Sequence, residues 1–410
     1  MRCGLLGEKL GHSYSPQIHS RLGDYSYELF EKKPDELKDF LKNGDFTGLN
    51  VTIPYKKAVI AHCAQLSERA KQLGAVNVIV RRNDGSLIGH NTDYFGFLSA
   101  VNHSGAEVSG KKVLVLGSGG ASATAVAVLK GLGANVIVVS RRGENNYGNL
   151  HIHSDAAFIV NATPVGMYPE VGVSPVDISL FPKLEGVLDL IYNPARTKLI
   201  MDAQSRGLIA VNGLWMLVAQ AKEAAEWFTG KTIDDSMIEI IYHQMQRQME
   251  NIVLIGMPGC GKTTVGKLLA QKLNMPFVDS DALIVQSAGK EISEIFANDG
   301  EDAFRKLETK VLAEVGKKSG QIIATGGGCV TRQENYPLLH QNGRIVWLQR
   351  DILALATDAR PLSQSGSLKN MYRIREPIYN RFCDDCVQNI GTAEETATEI
   401  MELLCKEERV

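Results

Sequence analysis

The spacing of hydrophobic positions changes several times along the first hundred residues. Arg2 to Leu6 reads as a strand, and Tyr25 to Phe30 alternates like one. Pro16 to Leu22 predicts a helix with proline in its first turn. Pro34 to Leu41 predicts another, ended by Gly44. Leu49 to Ile53 predicts a strand, and Ala58 to Leu73 a long helix ended by Gly74. Val76 to Val80 and Ser86 to Gly89 predict a hairpin across Asn83-Asp84-Gly85. The mixture predicts a separate α/β domain.

Beyond Lys111 the apolar runs become short and unalternating, as in parallel strands buried on both faces. Two of them pass through glycines into helical periodicity. The first is Lys112-Val-Leu-Val-Leu-Gly117 followed by Ser118-Gly-Gly-Ala121. The second is Ile252-Val-Leu-Ile-Gly256 followed by Met257-Pro-Gly-Cys-Gly-Lys262. Two nucleotide sites are therefore expected. Thr229 to Met249 keeps helical periodicity with no flexible linker, so helix Ser236–Gln248 should feed almost directly into the strand after Asn251. The expected fold class is α/β, with domains over residues 1–102, 103–248 and 251–410.

Composition agrees with this division. At 410 residues the chain exceeds one ordinary domain of about 100–200 residues. A formal net charge of −2 supplies no basic field for nucleic acid. The seven cysteines are odd in number and scattered, which suits a reducing cytosol better than a disulfide framework. Met1 to His12 lacks the pattern of a secretory signal, and no apolar run reaches the ~20 residues that span a bilayer. A cytoplasmic protein acting on small molecules is expected, with oligomeric state, monomer or homodimer, left open.

Gly256-Met-Pro-Gly259-Cys260-Gly261-Lys262-Thr263 fits G-x-x-x-x-G-K-[ST] at every fixed position. Such a loop turns backbone N–H groups toward phosphate oxygens, and its lysine supplies charge at the β and γ phosphates. Its threonine offers a hydroxyl to Mg²⁺. Thr264 comes next, in the first helical turn. The loop alone fits a GTPase switch or an ATPase motor as well as a kinase. The segments downstream of it discriminate: Asp279-Ser-Asp281, read as two carboxylates on one side of an extended segment; Gly300-Glu-Asp-Ala-Phe-Arg305-Lys-Leu-Glu308; Thr325-Gly-Gly327-Gly328; Arg360-Pro-Leu; and Arg375-Glu-Pro-Ile-Tyr379.

From Asn251 to Val410 this set resembles shikimate kinase. The resemblance implies a P-loop kinase fold with a parallel sheet, ATP and Mg²⁺. Lys262 and Arg360 would stabilise the transferring phosphoryl, Arg360 from a mobile lid. Thr263 and Asp279 would hold Mg²⁺. Asp281 would be the base for the attacking hydroxyl, and Arg305, Arg375, Gly327 and Gly328 would hold the substrate carboxylate. The stretch from Arg360 to Arg375, with Ser363-Gln-Ser-Gly-Ser367 in it, is shorter than is usual in that family.

Gly117-Ser-Gly119-Gly120-Ala121-Ser122 is an incomplete G-x-G-x-x-G, since Ser122 replaces the last glycine. The next strand, Asn135 to Val139, ends in Ser140-Arg141-Arg142. A carboxylate there would select NAD; basic residues favour the 2′-phosphate of NADP. Around this loop stand Ser13-Tyr-Ser15-Pro, Asn50-Val-Thr52-Ile-Pro-Tyr-Lys56, Gly74-Ala-Val-Asn77 and Asn91-Thr-Asp93. Asn161-Ala-Thr163, Asp189-Leu-Ile-Tyr192 and Gly213-Leu-Trp-Met216-Leu-Val-Ala-Gln220 lie downstream.

Across Met1 to about Gln248 the chain resembles shikimate dehydrogenase. The resemblance implies a substrate-binding domain and a Rossmann-like NADP domain, with helices from about residue 212 to 248 packing back on the first. Lys56 and Asp93 would form the catalytic pair for reduction of 3-dehydroshikimate. Ser13, Ser15, Thr52, Asn77, Asp93, Tyr192 and Gln220 would bind substrate. Gly117, Gly119, Gly120, Ala121, Ser140, Arg141, Arg142, Thr163, Gly213 and Met216 would face the cofactor. Gly143 to Asn149 reads as turn where that family has a crossover helix, so one helix is expected to be missing.

The whole then reads as a bifunctional enzyme that makes shikimate and phosphorylates it. Quinate as the first substrate, or one half kept as an inactive regulatory domain, are the other readings. Cys383-Asp-Asp-Cys386 is a lone pair of thiols rather than a metal or redox site. His12 and His19 are expected to pack locally or face solvent. Trp215 and Trp227 are expected in the core, and Lys406 to Arg409 form a solvated end.

Overall fold

The structure, a computed structural model, describes residues 1–11, 13–355 and 368–405. His12, Arg360, Ser363–Ser367 and Lys406–Arg409 lie outside the described residues. The chain forms two compact units. The first comprises Met1–Met167, Val173–Tyr192 and Leu199–Gln246; the second comprises Tyr168–Gly172, Asn193–Lys198 and Arg247–Val410.

The first unit begins with a six-stranded sheet of β1 (Arg2–Gly7), β2 (Ser26–Glu31), β3 (Gly48–Val51), β4 (Gln65–Leu66), β5 (Val78–Arg81) and β6 (Leu87–His90), in the order β2-β1-β3-β5-β6-β4. Leu6, Leu49, Val51 and Ile79 bury one face. Cys3 and Val78 meet Ala224 and Phe228 of helix Leu214–Thr229 on the other. β5 and β6 form the predicted hairpin, with Gly85 at φ +82° in its turn.

The long helix expected over Ala58 to Leu73 is three pieces: a 3-10 turn Ala58–His62, strand β4 and helix Glu68–Leu73. Sheet pairing overrides the helical pattern. Ala64 N–H donates to Leu87 O at 2.8 Å and Ser67 N–H to Gly89 O at 2.9 Å, so this segment joins the sheet edge. The Ser67 hydroxyl then caps the shortened helix at Ala70 N, and Gly74 closes it at φ +59°. The helix expected from Pro16 to Leu22 is also shorter, Ser15–His19.

The second sheet of this unit is wholly parallel: β7 (Lys112–Leu116), β8 (Asn135–Val139), β9 (Phe158–Asn161), β10 (Gly186–Asp189) and β11 (Ile209–Val211), in the order β11-β10-β9-β7-β8. Alternate β7 residues feed opposite faces. Val113 and Val115 pack with Phe97 and Leu129, whereas Leu114 and Leu116 pack with Ile159 and Val187. This burial explains the unalternating run. Helix Gly120–Gly131 connects β7 to β8, but only a 3-10 turn, Leu150–His153, lies between β8 and β9. Leu150 is buried in the core there, which lets the turn do the covering of the expected missing helix.

The second unit has its own parallel sheet: β12 (Asn251–Ile255), β13 (Phe277–Asp279), β14 (Ile322–Ala324), β15 (Gly343–Gln349) and β16 (Asp385–Gln388), in the order β13-β14-β12-β15-β16. β12 is buried along its whole length. In both parallel sheets a glycine loop leaves a central strand with neighbours on both sides. Open α/β sheets hold ligands at such switch points. No helix among the described residues is long and apolar enough to cross a membrane.

Candidate active sites

A cavity of 280 Å³ in the first unit is lined by Ser13, Ser15, Thr52, Lys56, Asn77, Asp93, Tyr192, Gly213, Met216 and Gln220. Thus all seven residues expected at the substrate, plus Lys56, surround one space. Lys56 leaves the turn after β3, and its carbonyl accepts Val76 N–H at 2.8 Å. Asp93 opens helix Asp93–His103, where the positive end of the dipole favours a carboxylate. Lys56 Nζ lies 2.6 Å from Asp93 Oδ2. Asn77 Nδ2 donates to Asp93 Oδ1 at 3.0 Å, and Asn77 Oδ1 accepts Thr92 N–H at 2.7 Å. Both carboxylate oxygens are thus held, and the ammonium is aimed into the cavity.

Helix Leu214–Thr229 supplies the cavity floor. A Cβ on Gly96 would lie 2.8 Å from Met216 O, and one on Gly213 would lie 2.1 Å from Leu190 O, so both glycines permit close backbone approach. One residue absent from the expected site also belongs here. Asn50 lines the cavity and accepts from Tyr27 Oη at 2.7 Å. Its polar side chain in the buried run Leu49-Asn50-Val51 was the available signal. Glu223, one turn beyond Gln220, does not line the cavity; burial, with Glu226 nearby, pushes its carboxyl up to about 7, and Asp93 also raises it.

A neighbouring cavity of 650 Å³ is lined by Gly117, Gly119, Gly120, Ala121, Ser140, Arg141 and Thr163, together with Tyr147 and Ile53. Ala121 lines both cavities, so they adjoin at the start of helix Gly120–Gly131. A Cβ on Gly119 or Gly120 would meet no protein atom within 4 Å; the loop leaves open space where a pyrophosphate needs it. Ser122, in place of the third glycine, is buried and donates to Gly117 O at 2.7 Å, which closes the turn from within.

Three residues expected at the cofactor lie outside the glycine-loop cavity. Arg142 is exposed and does not line the cavity, because a tight turn from Ser140 to Gly143 points it away. Gly213 and Met216 line the substrate cavity and not the cofactor cavity. Tyr147, in the turn that replaces the helix, also lines the glycine-loop cavity. Trp215 is buried as expected, but Trp227 is 44% exposed and stacks on His90 at 3.5 Å.

In the second unit a cavity of 560 Å³ is lined by Gly259, Gly261, Lys262, Thr263, Thr264, Asp279, Asp281, Arg305, Gly327, Gly328 and Arg375. Gly256 and Cys260 do not line it. Gly256, at φ +143°, allows close approach to Leu348 O, and Cys260 is wholly buried beneath the loop. Lys262 Nζ donates to Gly256 O at 2.9 Å and Met257 O at 3.0 Å. Thr263 Oγ1 donates to Asp279 Oδ2 at 2.9 Å. Asp281 is not on an extended segment. It sits in the first turn of helix Ser280–Ala288, which Asp279 caps by accepting from Asp281 N–H at 3.0 Å.

Across the cavity Arg305 is gripped by Glu308 at 2.7 Å and Glu301 at 3.1 Å, and Arg375 donates to Gly327 O at 3.1 Å. Glu308 is fully buried; burial pushes its carboxyl up against the pull of Arg305. It is a site residue that the expectations omitted, although its spacing of three from Arg305 on one helix pointed to it. Arg350, after β15, also lines the cavity.

The donor sets fit the implied ligands. Thr263 and Asp279 present two hard oxygens, the small protein share usual for Mg²⁺ beside phosphates. Open glycines with Ser140 and Arg141 fit a phosphorylated dinucleotide.

Two classes of site thus share one polypeptide: a dinucleotide-dependent reductase and a P-loop phosphotransferase. Residues 5–79 match the shikimate dehydrogenase substrate binding domain, and residues 258–405 match shikimate kinase. A shikimate dehydrogenase (NADP(+)) of Clostridium perfringens is 38% identical over 266 residues, which cover 59% of this chain and 97% of that protein. The crystal structure of a chorismate mutase/shikimate 5-dehydrogenase fusion from Clostridium acetobutylicum is 37% identical, with a TM-score of 0.57 over 60% of this chain and 97% of that one. Shikimate 5-dehydrogenase from Thermus thermophilus, solved with NADP(H) and shikimate, is 32% identical, with a TM-score of 0.55 over 60% and 99%. The chain belongs to the shikimate dehydrogenase family and carries a shikimate kinase domain behind it. It is a bifunctional enzyme of the shikimate pathway, an NADP-dependent oxidoreductase joined to a kinase.

Proposed function

We propose that residues 1–102 and 103–248 form the substrate and NADP domains of a 3-dehydroshikimate reductase, and that residues 251–410 phosphorylate its product. The observation that carries this reading is the Lys56–Asp93 pair in a cavity that meets the glycine-loop cavity at Ala121. NADPH supplies the hydride. Ser13 and Ser15 bind the substrate carboxylate, and Thr52, Asn77, Asp93 and Gln220 its hydroxyls, with Tyr192 beside them. Lys56 donates a proton to the forming alkoxide, and Asp93 holds its ammonium in place. Gly117, Gly119, Gly120 and Ala121 leave room for the pyrophosphate, and Arg141 faces the 2′-phosphate.

In the kinase, Arg305, Arg375 and the Gly327–Gly328 backbone hold the shikimate carboxylate. Asp281 accepts the proton of the attacking hydroxyl. Lys262 and Arg360 neutralise charge on the transferring phosphoryl, while Thr263 and Asp279 hold Mg²⁺. We assign the protein to the cytoplasm and to small-molecule substrates alone.

Purified protein given 3-dehydroshikimate, NADPH and Mg-ATP should consume NADPH and release ADP in equal amounts. NADPH oxidation without phosphorylation of added shikimate would sink the kinase assignment.

A further inference from the structure

The motif Arg375-Glu-Pro-Ile-Tyr379 carries one residue that neither reaction uses directly. Tyr379 stands one turn after Arg375 on helix Leu368–Phe382 and is fully buried. Its ring stacks on Trp347 with centroids 5.6 Å apart, which fixes the position of its hydroxyl. That hydroxyl donates to Gly327 O, the same carbonyl that accepts from Arg375 Nη1 at 3.1 Å. Its other neighbour, Met257 Sδ in the phosphate loop, is 3.9 Å away and a weak acceptor. Burial raises the phenol far above its usual range, so it remains a donor at any working pH.

The carbonyl matters because of what its peptide carries on the far side. The cis bonds among the described residues all precede proline, so Gly327–Gly328 is a trans peptide. In a trans peptide C=O and N–H point in opposite directions. Holding Gly327 O on the helix therefore aims Gly328 N–H away from it. Gly328 lines the cavity, and its N–H has no acceptor among the described residues. A Cβ on Gly327 would lie 2.6 Å from Pro258 Cδ, and one on Gly328 2.1 Å from Arg305 Nη2, so only glycine threads this gap. A glycine run turns freely, and its orientation has to be chosen by a partner. Arg375 is a shared donor, because the carboxylate also calls on its guanidinium. Tyr379 does not line the cavity and is not drawn off when substrate arrives.

We propose that Tyr379 is a positioning residue of the kinase: by holding Gly327 O it presents Gly328 N–H, beside Arg305, to the carboxylate of shikimate. The idea rests on Arg305, Arg375 and the Gly327–Gly328 backbone as the carboxylate site.

In assays of the full chain with Mg-ATP, Tyr379→Phe should raise KM for shikimate about tenfold, with kcat and KM for Mg-ATP nearly unchanged. For the analogue in which hydrogen replaces the carboxyl group, kcat/KM should stay as in wild type. A hydroxyl that only satisfies a core carbonyl would lower Tm without this split. Equal penalties on both compounds, or none on shikimate, overturn the proposal. So does a rise confined to KM for Mg-ATP, which would place the role at Met257. A second measurement needs no variant. Glycine labelled with ¹³C at its carbonyl and ¹⁵N at its amide gives carbonyl-to-amide NMR signals for Gly-Gly pairs alone, here Gly119-Gly120, Gly326-Gly327 and Gly327-Gly328. The Gly328 amide proton should move downfield when shikimate binds and stay in place with the analogue. An unmoved signal overturns the proposal even where Tyr379→Phe fails to fold. A wild-type chain that phosphorylates no shikimate would refute the kinase reading instead, and is told apart from a working chain whose variant shows no split.

Discussion

The two glycine loops begin alike and end differently. Each leaves a central parallel strand, each has its first glycine at positive φ (+113° at Gly117 and +143° at Gly256), and each runs into a helix. The loop after β7 contributes only backbone and open space; no charged side chain lies in Gly117 to Ser122. The loop after β12 carries its own cation and hydroxyl in Lys262 and Thr263. The physical reason is where the reaction happens. A cofactor's pyrophosphate is held but unchanged, so the reactive groups can stand elsewhere; the proposed pair, Lys56 and Asp93, comes from the turn after β3 and from a helix start. A phosphate that is transferred must have its charge met on the spot.

The largest effects should come from removing each site's cation. Lys262→Ala should lower shikimate phosphorylation by about a thousandfold or more and leave NADPH oxidation intact, whereas Lys56→Ala should do the reverse. Parallel assays of ADP and NADPH check this, and loss of both activities in either variant would break the separation. Next, Asp279→Asn should weaken Mg²⁺ binding, raising the half-saturating Mg²⁺ concentration about tenfold in kinase titrations. For the cofactor loop, Arg141→Ala should cut the preference for NADPH over NADH about tenfold, and Arg142→Ala should barely change it. Equal effects of the two would undo the distinction between a lining and a turned-away arginine. Gly119→Ala should raise KM for NADPH several-fold without lowering Tm, since the added methyl meets only open space.

The smallest effect concerns pH. The Glu223 carboxyl is raised from 4.5 to about 7 in the folded state. The unfolded chain therefore ionises first as pH rises, and the folded state loses stability between those values. Glu223→Gln should abolish that loss and raise the dehydrogenase transition at pH 8 by about 2 kcal/mol, or a few degrees in calorimetry.

Much of this was legible in the chain. The strand Lys112–Leu116 appears where its apolar run lies, because burial on both faces writes an unbroken hydrophobic signal; Asn135–Val139 also appears where its run lies, although it is a partly exposed edge strand. Asn83-Asp84-Gly85 turns the hairpin because few other sequences accept its backbone angles. The segment from Ala58 to Leu73 departs from its expected helix because its hydrophobic spacing suits one, while its strand β4 exists only through a distant partner, Ile88–Gly89. Trp227 departs from the core because periodicity cannot tell a covered helical face from one that ends beside His90.

Lys56, Asp93 and Asp281 stood out only through the resemblance to the two families; local chemistry, then, marked out both glycine loops and the Lys262-Thr263 pair. Those depend on which backbone angles a residue tolerates and which groups it carries. Tertiary structure decided which candidates meet. It brought Lys56, from the turn after β3, within 2.6 Å of Asp93 at a helix start, and left Arg142, Gly256 and Cys260 outside the cavities. Spacing along a chain carries no information about such meetings, because distance through space is set by sheet order and by which faces must be buried.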